Sequence, residues 1–210
     1  MEEKSTVIGL TGQTGAGKTA ASQILRELGC AVIDADQVSR QVVDGPNECL
    51  ADLVLAFSVD IINDKGALDR KKLASIVFTD KAKLKRLNTI IFPYIVEEIE
   101  RQLQLAQETS PIAVILDAPT LFESGADRLC HKTLSILADP EIRSARIMKR
   151  DSLTEEEANN RMSSQHPDQY YISRSDLTIR NDGDPIALRL ELFAALDGLG
   201  ISVPPQPIDN

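Results

Sequence analysis

The sequence predicts an α/β fold in which helices flank a parallel sheet of five strands. Short aliphatic segments alternate with segments of helical periodicity along the 210 residues, which is typical of this fold class. The aliphatic segments are nearly continuous runs, as expected of parallel strands that are buried on both faces. A glycine-rich stretch separates the first strand from the first helix. The strands are expected at residues 6–10, 30–36, 112–119, 133–139 and 176–181.

The helices are predicted from apolar spacing and from residues that stop or start a helix. The first is expected over residues 17–28, with Gly29 ending it. Between the second and third strands the periodicity is mostly helical, with one helix ending at Pro93 and another beginning there. Pro140 is expected to open the helix that follows the fourth strand.

Composition limits the classes of partner. The formal net charge is -9, whereas a general nucleic-acid binder usually carries a basic face. The N-terminal segment MEEKSTVIGL is acidic, its apolar run is too short for a signal peptide, and no aliphatic run could span a bilayer. We therefore expect a cytoplasmic protein, a monomer or weak oligomer, with neither nucleic acid nor a membrane as its partner.

Residues 12–19, GQTGAGKT, match the pattern G-x-x-x-x-G-K-[ST] at every fixed position. Glycines allow such a loop to fold back so that successive N–H groups point at phosphate oxygens, and the following helix adds its N-terminal dipole. Lys18 would reach the β- and γ-phosphates, and the Thr19 hydroxyl would bind Mg²⁺. The residues expected to hold the nucleotide phosphates are Gly12, Thr14, Gly15, Ala16, Gly17, Lys18 and Thr19.

A dinucleotide-binding turn is a second interpretation of the same residues. Gly15-x-Gly17-x-x-Ala20 fits that fingerprint, and the acids of VIDAD lie at about the right distance downstream to hold a ribose. Two features favour the phosphate loop instead. Gly15 does not follow the strand directly, and a dinucleotide turn has no need of a cation at Lys18.

Carboxylates follow two predicted strands at their carboxyl ends, where ligands bind in open α/β sheets. Alternation along a strand puts Asp34 and Asp36 on one face, and Asp36 is expected to align an acceptor hydroxyl and take its proton. The structural alternative is that both acids cap helices. Asp117 ends the segment AVILD and is expected to bind Mg²⁺ directly or through water, and Glu123 could contact the acceptor.

The segment DPEIRSARIMKRD carries Arg143, Arg146 and Arg150 at spacings of three and four, which places them on one helical face. A second helix begins at a capping box in SLTEEE and carries Arg161 and Gln165. A solvated basic face is the structural alternative, but a basic stripe is unexpected in an acidic chain. We expect a lid over a triphosphate, with Arg143 and Arg146 binding the nucleotide. Arg146 would also be catalytic by neutralising transition-state charge, and Arg161 would face the substrates.

Seven segments form a linked set: GLTGQTGAGKT, VIDAD, LDRKKLASIVF, LDAPTLFESG, RIMKRD, RMSSQ and SDLTIRNDGD. This set resembles the dephospho-coenzyme A kinase family of P-loop kinases. The likeness extends from about Val7 to Gly183. Only the first segment is shared by P-loop proteins in general, so the set as a whole is specific to this family.

The resemblance implies ATP-dependent transfer to the ribose 3′-hydroxyl of dephospho-CoA, with Mg²⁺ and with Asp36 as the catalytic base. It implies three parts: a nucleotide-binding core (1–60, 110–140 and 170–205), a helical acceptor subdomain (61–109) and a lid (141–168). The residues that fall where the acceptor is held are Asp34, Asp36, Arg70, Pro119, Leu121, Phe122 and Glu123.

Two departures from the family lie on the acceptor side. Phe92-Pro93 stands where His-Pro is usual, and Pro119-Thr120-Leu121 stands where Pro-Leu-Leu is usual. They leave the phosphate chemistry intact and bear on acceptor binding. Another small-molecule or nucleoside monophosphate kinase of the same fold is the alternative function. A non-enzymatic nucleotide switch is a third, which the absence of a guanine-binding Asn-Lys-x-Asp segment disfavours.

Overall fold

A five-stranded sheet organises the computed structural model, which describes residues 5–109 and 111–204. The strand order is β2-β3-β1-β4-β5, and β1 pairs in parallel with β3 and β4, as β4 does with β5. The predicted fold class is therefore confirmed. The strands are β1 (Val7–Gly12), β2 (Ala31–Asp34), β3 (Val114–Asp117), β4 (Lys132–Leu137) and β5 (Leu177–Arg180).

Helices connect the strands, as the alternation of the sequence predicts. The helices around the first two strands are α1 (Lys18–Glu27), α2 (Ala35–Gln41), α3 (Glu48–Phe57), α4 (Arg70–Val77) and α5 (Lys81–Glu108). Those after β3 are α6 (Leu121–Ser124), α7 (Pro140–Asp151), α8 (Glu155–Ser163), α9 (Asp168–Ile172) and α10 (Pro185–Gly198). Pro140 opens α7 as predicted, with the Asp139 carboxylate accepting the N–H of Glu141.

The position of β1 decides where a ligand can bind. Strands β3 and β2 lie on one side of β1 in the sheet order, and strands β4 and β5 lie on the other. The strand order therefore reverses at β1. Parallel sheets of this kind bind ligands beyond the carboxyl ends of the strands, at the point where the strand order reverses. The register aligns Leu10 of β1 with Asp117 of β3, so the two strand ends lie side by side.

The sheet core is aliphatic, as the low aromatic content requires. Its members include Leu10, Ile115 and Ile136, which are fully buried. Helices α1 and α10 contribute Leu25 and Leu192 to the same cluster. These contacts pack α1 and α10 on the sheet that contains β1, and the glycine-rich loop joins β1 to α1.

The second strand is shorter than predicted. Extended structure ends at Asp34, whose carboxylate accepts the N–H of Gln37 and caps α2. Asp36 consequently lies in the first turn of α2. The prediction that strand alternation puts both acids on one face is therefore wrong, and the capping interpretation holds for Asp34.

The long helix α5 continues through Pro93, so the predicted break at that residue is wrong. An interior proline removes one main-chain hydrogen bond and kinks a helix without necessarily ending it. Downstream of the proline, the apolar residues Ile99 and Leu103 are both buried. Burial of this face favours one continuous helix over two.

The contacts divide the chain into two compact units, and the second spans Asp34–Gln102. The first comprises the described residues up to Ile33 and from Leu103 onward. The second unit, the helical unit, lies between the second and third strands, where the sequence predicts mostly helical structure. Residues before and on α3 share its apolar core, whose buried members are Val43, Cys49, Leu53, Ile61, Leu73 and Val77. No helix among the described residues is both long and apolar enough to cross a membrane.

Two leucines of α10 allow a matched test of the core. Leu192 is fully buried and Leu190 is 66% exposed, although both lie on the same helix. We expect Leu192→Ala to lower the free energy of unfolding by about 3 kcal/mol, because it leaves a cavity. Leu190→Ala is expected to change it by less than about 0.5 kcal/mol. Urea denaturation measures both, and equal losses would contradict the docking of α10 on the sheet.

Candidate functional site

The glycine-rich loop lies between the end of β1 and the start of α1, and its backbone explains two of its glycines. Gly15 and Gly17 have φ values of 78° and 101°, which side-chain-bearing residues rarely adopt. A Cβ atom at Gly17 would lie 2.1 Å from Nδ2 of Asn181, and one at Gly15 would lie 2.7 Å from the Arg143 carbonyl oxygen. Glycine is therefore required at both positions by conformation and by space.

Three side chains hold the carbonyl groups of this loop. Arg143 Nε donates to the Thr14 carbonyl at 3.0 Å, and Asn181 Nδ2 donates to the Ala16 carbonyl at 2.7 Å. Arg146 Nη1 donates to the Asn181 carbonyl at 3.0 Å and reaches the Ala16 carbonyl at 3.4 Å. These donors fix the direction of the peptide groups that follow Thr14 and Ala16.

The same contacts orient the N–H groups on the other side of the loop. In a trans peptide the C=O of one residue and the N–H of the next point in opposite directions. Tethering the carbonyls of Thr14 and Ala16 therefore turns the N–H groups of Gly15 and Gly17 away from Arg143 and Asn181. Together with the free N–H groups of the first turn of α1, they form a site suited to an anion.

Lys18 provides the cation of the site, and Asp117 holds it. The Lys18 ammonium donates to Asp117 Oδ1, and the Ser22 hydroxyl donates to Oδ2 of the same carboxylate. Asp117 is 7% exposed and is the last residue of β3. Both carboxylate oxygens therefore orient side chains of α1. This geometry favours Asp117 as the residue that positions Lys18.

A magnesium ion fits this site only as a partner of phosphate. Thr19 lies in the first turn of α1 with its side chain exposed, and its hydroxyl is an oxygen ligand of the kind Mg²⁺ prefers. Among residues 5–109 and 111–204, no cluster of three or more His, Cys, Asp or Glu side chains could hold a metal. Phosphate oxygens and water would therefore supply most of the ligands.

The predicted arginine stripe is divided between two environments. Arg143 is only 4% exposed, and this burial lowers the pKa of its guanidinium. Arg143 and Arg146 contact the loop, whereas Arg150 forms an ion pair with Asp151 at 2.8 Å. Arg161 of α8 also pairs with Asp151, and the two arginines lower the pKa of that carboxyl to about 2, Arg150 having the larger effect.

The segment after β3 contributes both core and surface residues. Leu121 is fully buried, which leaves its side chain no surface for a ligand. The Pro119 carbonyl accepts a hydrogen bond from the Thr11 hydroxyl at 3.1 Å. Phe122 packs edge-to-face on Tyr170, with ring centroids 6.2 Å apart. Glu123 lies 3.5 Å from Nε2 of His166, with its side chain partly exposed.

The remaining predicted residues belong to the helical unit. Asp34 and Asp36 stand at the start of α2, where Ser39 Oγ donates to the carbonyl of Asp36 at 2.9 Å. Arg70 is the first residue of α4, and its guanidinium donates to the carbonyl of Arg40 at 2.9 Å. These contacts place the three residues on helix starts of one unit.

Two polar residues of the site, Ser22 and Asn181, were not predicted as part of it, and Gln165 was expected only as a residue of the lid helix. Ser22 follows Lys18 by one helical turn, and that spacing was the available signal. Asn181 follows β5 at the carboxyl edge of the sheet. Gln165 accepts the N–H of Thr14 at 2.8 Å, and nothing in its spacing pointed to this contact.

A family model and the sequences of individual known proteins were each compared with this chain, and both comparisons match the same family. The dephospho-CoA kinase family model matches residues 6–186. A dephospho-CoA kinase of Bacillus anthracis is 38% identical over 192 residues, which are 91% of this chain and 96% of that protein.

Solved structures share the fold over nearly the whole chain. A Thermus thermophilus protein has a TM-score of 0.78 at 30% identity, covering 94% of this chain and 99% of its own. A dephospho-CoA kinase from Campylobacter jejuni has a TM-score of 0.63 at 25% identity, covering 93% of this chain and 97% of its own. With its family match over most of its length and a phosphate loop built as described, this chain belongs to the dephospho-CoA kinase family.

Proposed function

We propose that this protein transfers the γ-phosphoryl group of ATP to the ribose 3′-hydroxyl of dephospho-CoA, giving CoA and ADP. The observation that carries the proposal is a phosphate loop whose N–H groups and fixed lysine form one anion site, in a chain of this family. We further propose a cytoplasmic enzyme, a monomer or weak oligomer, that acts on small molecules alone. Its net charge of -9 argues against a nucleic-acid partner.

Phosphate binding follows from the loop geometry. The N–H groups of Gly15 and Gly17 and the first turn of α1 would bind phosphate oxygens, and Lys18 would contact the β- and γ-phosphates. Mg²⁺, held by the Thr19 hydroxyl and through water by Asp117, would neutralise phosphate charge. Arg146 would add positive charge near the transferred group.

Acceptor alignment is assigned to residues of the helical unit and of the segment after β3. We propose that Asp36 aligns the 3′-hydroxyl and accepts its proton. Because phosphoryl transfer proceeds through a loose transition state, alignment contributes more than basicity. Residues 61–109 would bind the acceptor, and residues 141–168 would act as the lid. The other proposed acceptor contacts are Asp34, Arg70, Pro119, Phe122, Glu123 and Arg161, together with the backbone of Leu121.

The first test is an acceptor screen. With ATP and Mg²⁺, dephospho-CoA is expected to give stoichiometric ADP release in a coupled assay, and nucleoside monophosphates are expected to give none. Product analysis should place the new phosphate on the ribose 3′-oxygen. Phosphorylation of a nucleoside monophosphate but not dephospho-CoA would assign a different acceptor. Failure to consume ATP with any acceptor would favour the non-enzymatic nucleotide-switch alternative.

The second test separates the chemical role of Lys18 from its structural one. Lys18→Ala is expected to lower kcat by at least about 100-fold, because it removes charge stabilisation of the phosphates. It also leaves the buried Asp117 carboxylate without its cation, so thermal stability should fall. Adding Asp117→Asn should recover most of that stability without recovering turnover. A double variant with near-normal kcat would make the role of Lys18 structural.

The third test concerns Asp36. We expect Asp36→Asn to lower kcat by about 100-fold while ADP affinity stays unchanged, because the acceptor hydroxyl loses its alignment and its proton acceptor. Asp64→Asn is the matched control, since Asp64 is an exposed carboxylate of the same helical unit. Steady-state kinetics and calorimetric ADP titration measure the two effects. Near-normal turnover in Asp36→Asn would remove this residue from the proposed role.

A further inference from the structure

Two glutamines connect the phosphate loop to the segment that follows α8, and both lie within the first compact unit. Gln13 Nε2, in the loop, donates to the carbonyl of His166 at 3.1 Å. Gln165 Oε1, after α8, accepts the loop N–H of Thr14 at 2.8 Å. Each segment thus supplies one side chain that binds the backbone of the other. We call this pair of contacts the glutamine clasp.

Arg143 closes the clasp into a ring of hydrogen bonds. Its Nη2 donates to Gln165 Oε1 at 3.2 Å while its Nε donates to the Thr14 carbonyl at 3.0 Å. The N–H and the C=O of Thr14 are therefore both held, the first by Gln165 and the second by Arg143. Glycine can adopt more backbone conformations than any other residue, and Gly15 follows Thr14 directly. Holding both main-chain groups of Thr14 therefore limits the conformations available to the loop at Gly15.

The environment of Gln13 supports a specific role for the clasp. Gln13 is buried, and its Oε1 has no hydrogen-bond partner among the described residues. A buried, unpaired amide oxygen is unfavourable, so packing alone does not account for a glutamine here. The hydrogen bond from Gln13 Nε2 to the His166 carbonyl accounts for a glutamine at this position.

The side chain of Gln165 takes no part in ending the neighbouring helix. The main-chain N–H of Gln165 donates to the Met162 carbonyl at 3.1 Å at the end of α8, whereas the side chain bonds to Thr14 and Arg143. Its carbonyl oxygen therefore acts on the loop.

We propose that Gln165 is a positioning residue, which fixes the Thr14 peptide so that the loop presents its N–H groups to the β-phosphate of the nucleotide. The affinity of the loop for phosphate then depends on the position of residues 165–166, at the end of the proposed lid segment. This inference rests on the proposed function only in so far as the loop binds a nucleotide. It assigns Gln165 no contact with the nucleotide itself.

The test compares Gln165→Met with the matched control Gln169→Met. Methionine keeps the length of the side chain and removes the acceptor, and Gln169 is an exposed glutamine of α9. Calorimetric titration with ADP and with AMP separates the two phosphates, because AMP lacks the β-phosphate that the loop surrounds. Thermal unfolding reports stability, and hydrogen exchange at the Thr14 amide reports the bond itself.

We expect Gln165→Met to weaken ADP binding by about tenfold, AMP binding by less than about twofold, and to speed exchange at Thr14. Its melting temperature should fall by no more than about 5 °C below that of Gln169→Met, because two hydrogen bonds are lost in an otherwise intact fold. Gln169→Met should bind ADP as the wild type does. An unchanged ADP affinity would overturn the role of Gln165. An equal loss of affinity for ADP and AMP would overturn it as well. A wild-type protein that binds no ADP would overturn the proposed function and this inference with it.

Discussion

The carbonyl groups of the phosphate loop are held by side chains from elsewhere in the fold, and the rest of the site depends on this. A protein with a net charge of -9 repels polyphosphate at long range, so its anion site must be local. Arg143 and Asn181 provide that site indirectly, by binding the carbonyls of Thr14 and Ala16 and turning the following N–H groups away from themselves. Here one guanidinium and one neutral side-chain amide build the anion site by orienting main-chain amides.

The ion pair between Lys18 and Asp117 shows how the sheet contributes to the same site. The register of β1 with β3 brings the end of β3 beside the end of β1, and Asp117 is the last residue of β3. Its carboxylate binds both Lys18 and Ser22, which lie one turn apart on α1. A long lysine side chain has many rotamers, and fixing it before nucleotide binds lowers the entropy lost on binding. Strand order thus decides the orientation of the Lys18 ammonium.

Features encoded by local pattern could be predicted from the sequence, and features that depend on partners distant in the chain could not. The loop and α1 follow from glycine spacing, and the strands follow from aliphatic runs. The break expected at Pro93 failed because burial of one face of α5 outweighs the single hydrogen bond that proline removes. The predicted position of Asp36 on a strand was wrong because Asp34 ends β2 and caps α2, whose first residue is Ala35. The contact between Gln165 and Thr14 was missed because the two residues lie 151 positions apart in the sequence.

The three arginines of helix α7 make two kinds of contact, and this bears on the role of the proposed lid segment. Of its three arginines, Arg143 is buried against the loop, Arg146 contacts loop and β5 edge together, and Arg150 pairs with Asp151. A guanidinium that already donates to backbone carbonyls has fewer donors left for phosphate. Helix α7 therefore acts first as part of the scaffold of the loop. Because α7 and the loop share these bonds, a displacement of α7 would alter the direction of the N–H groups that follow the tethered carbonyls of residues 14–16.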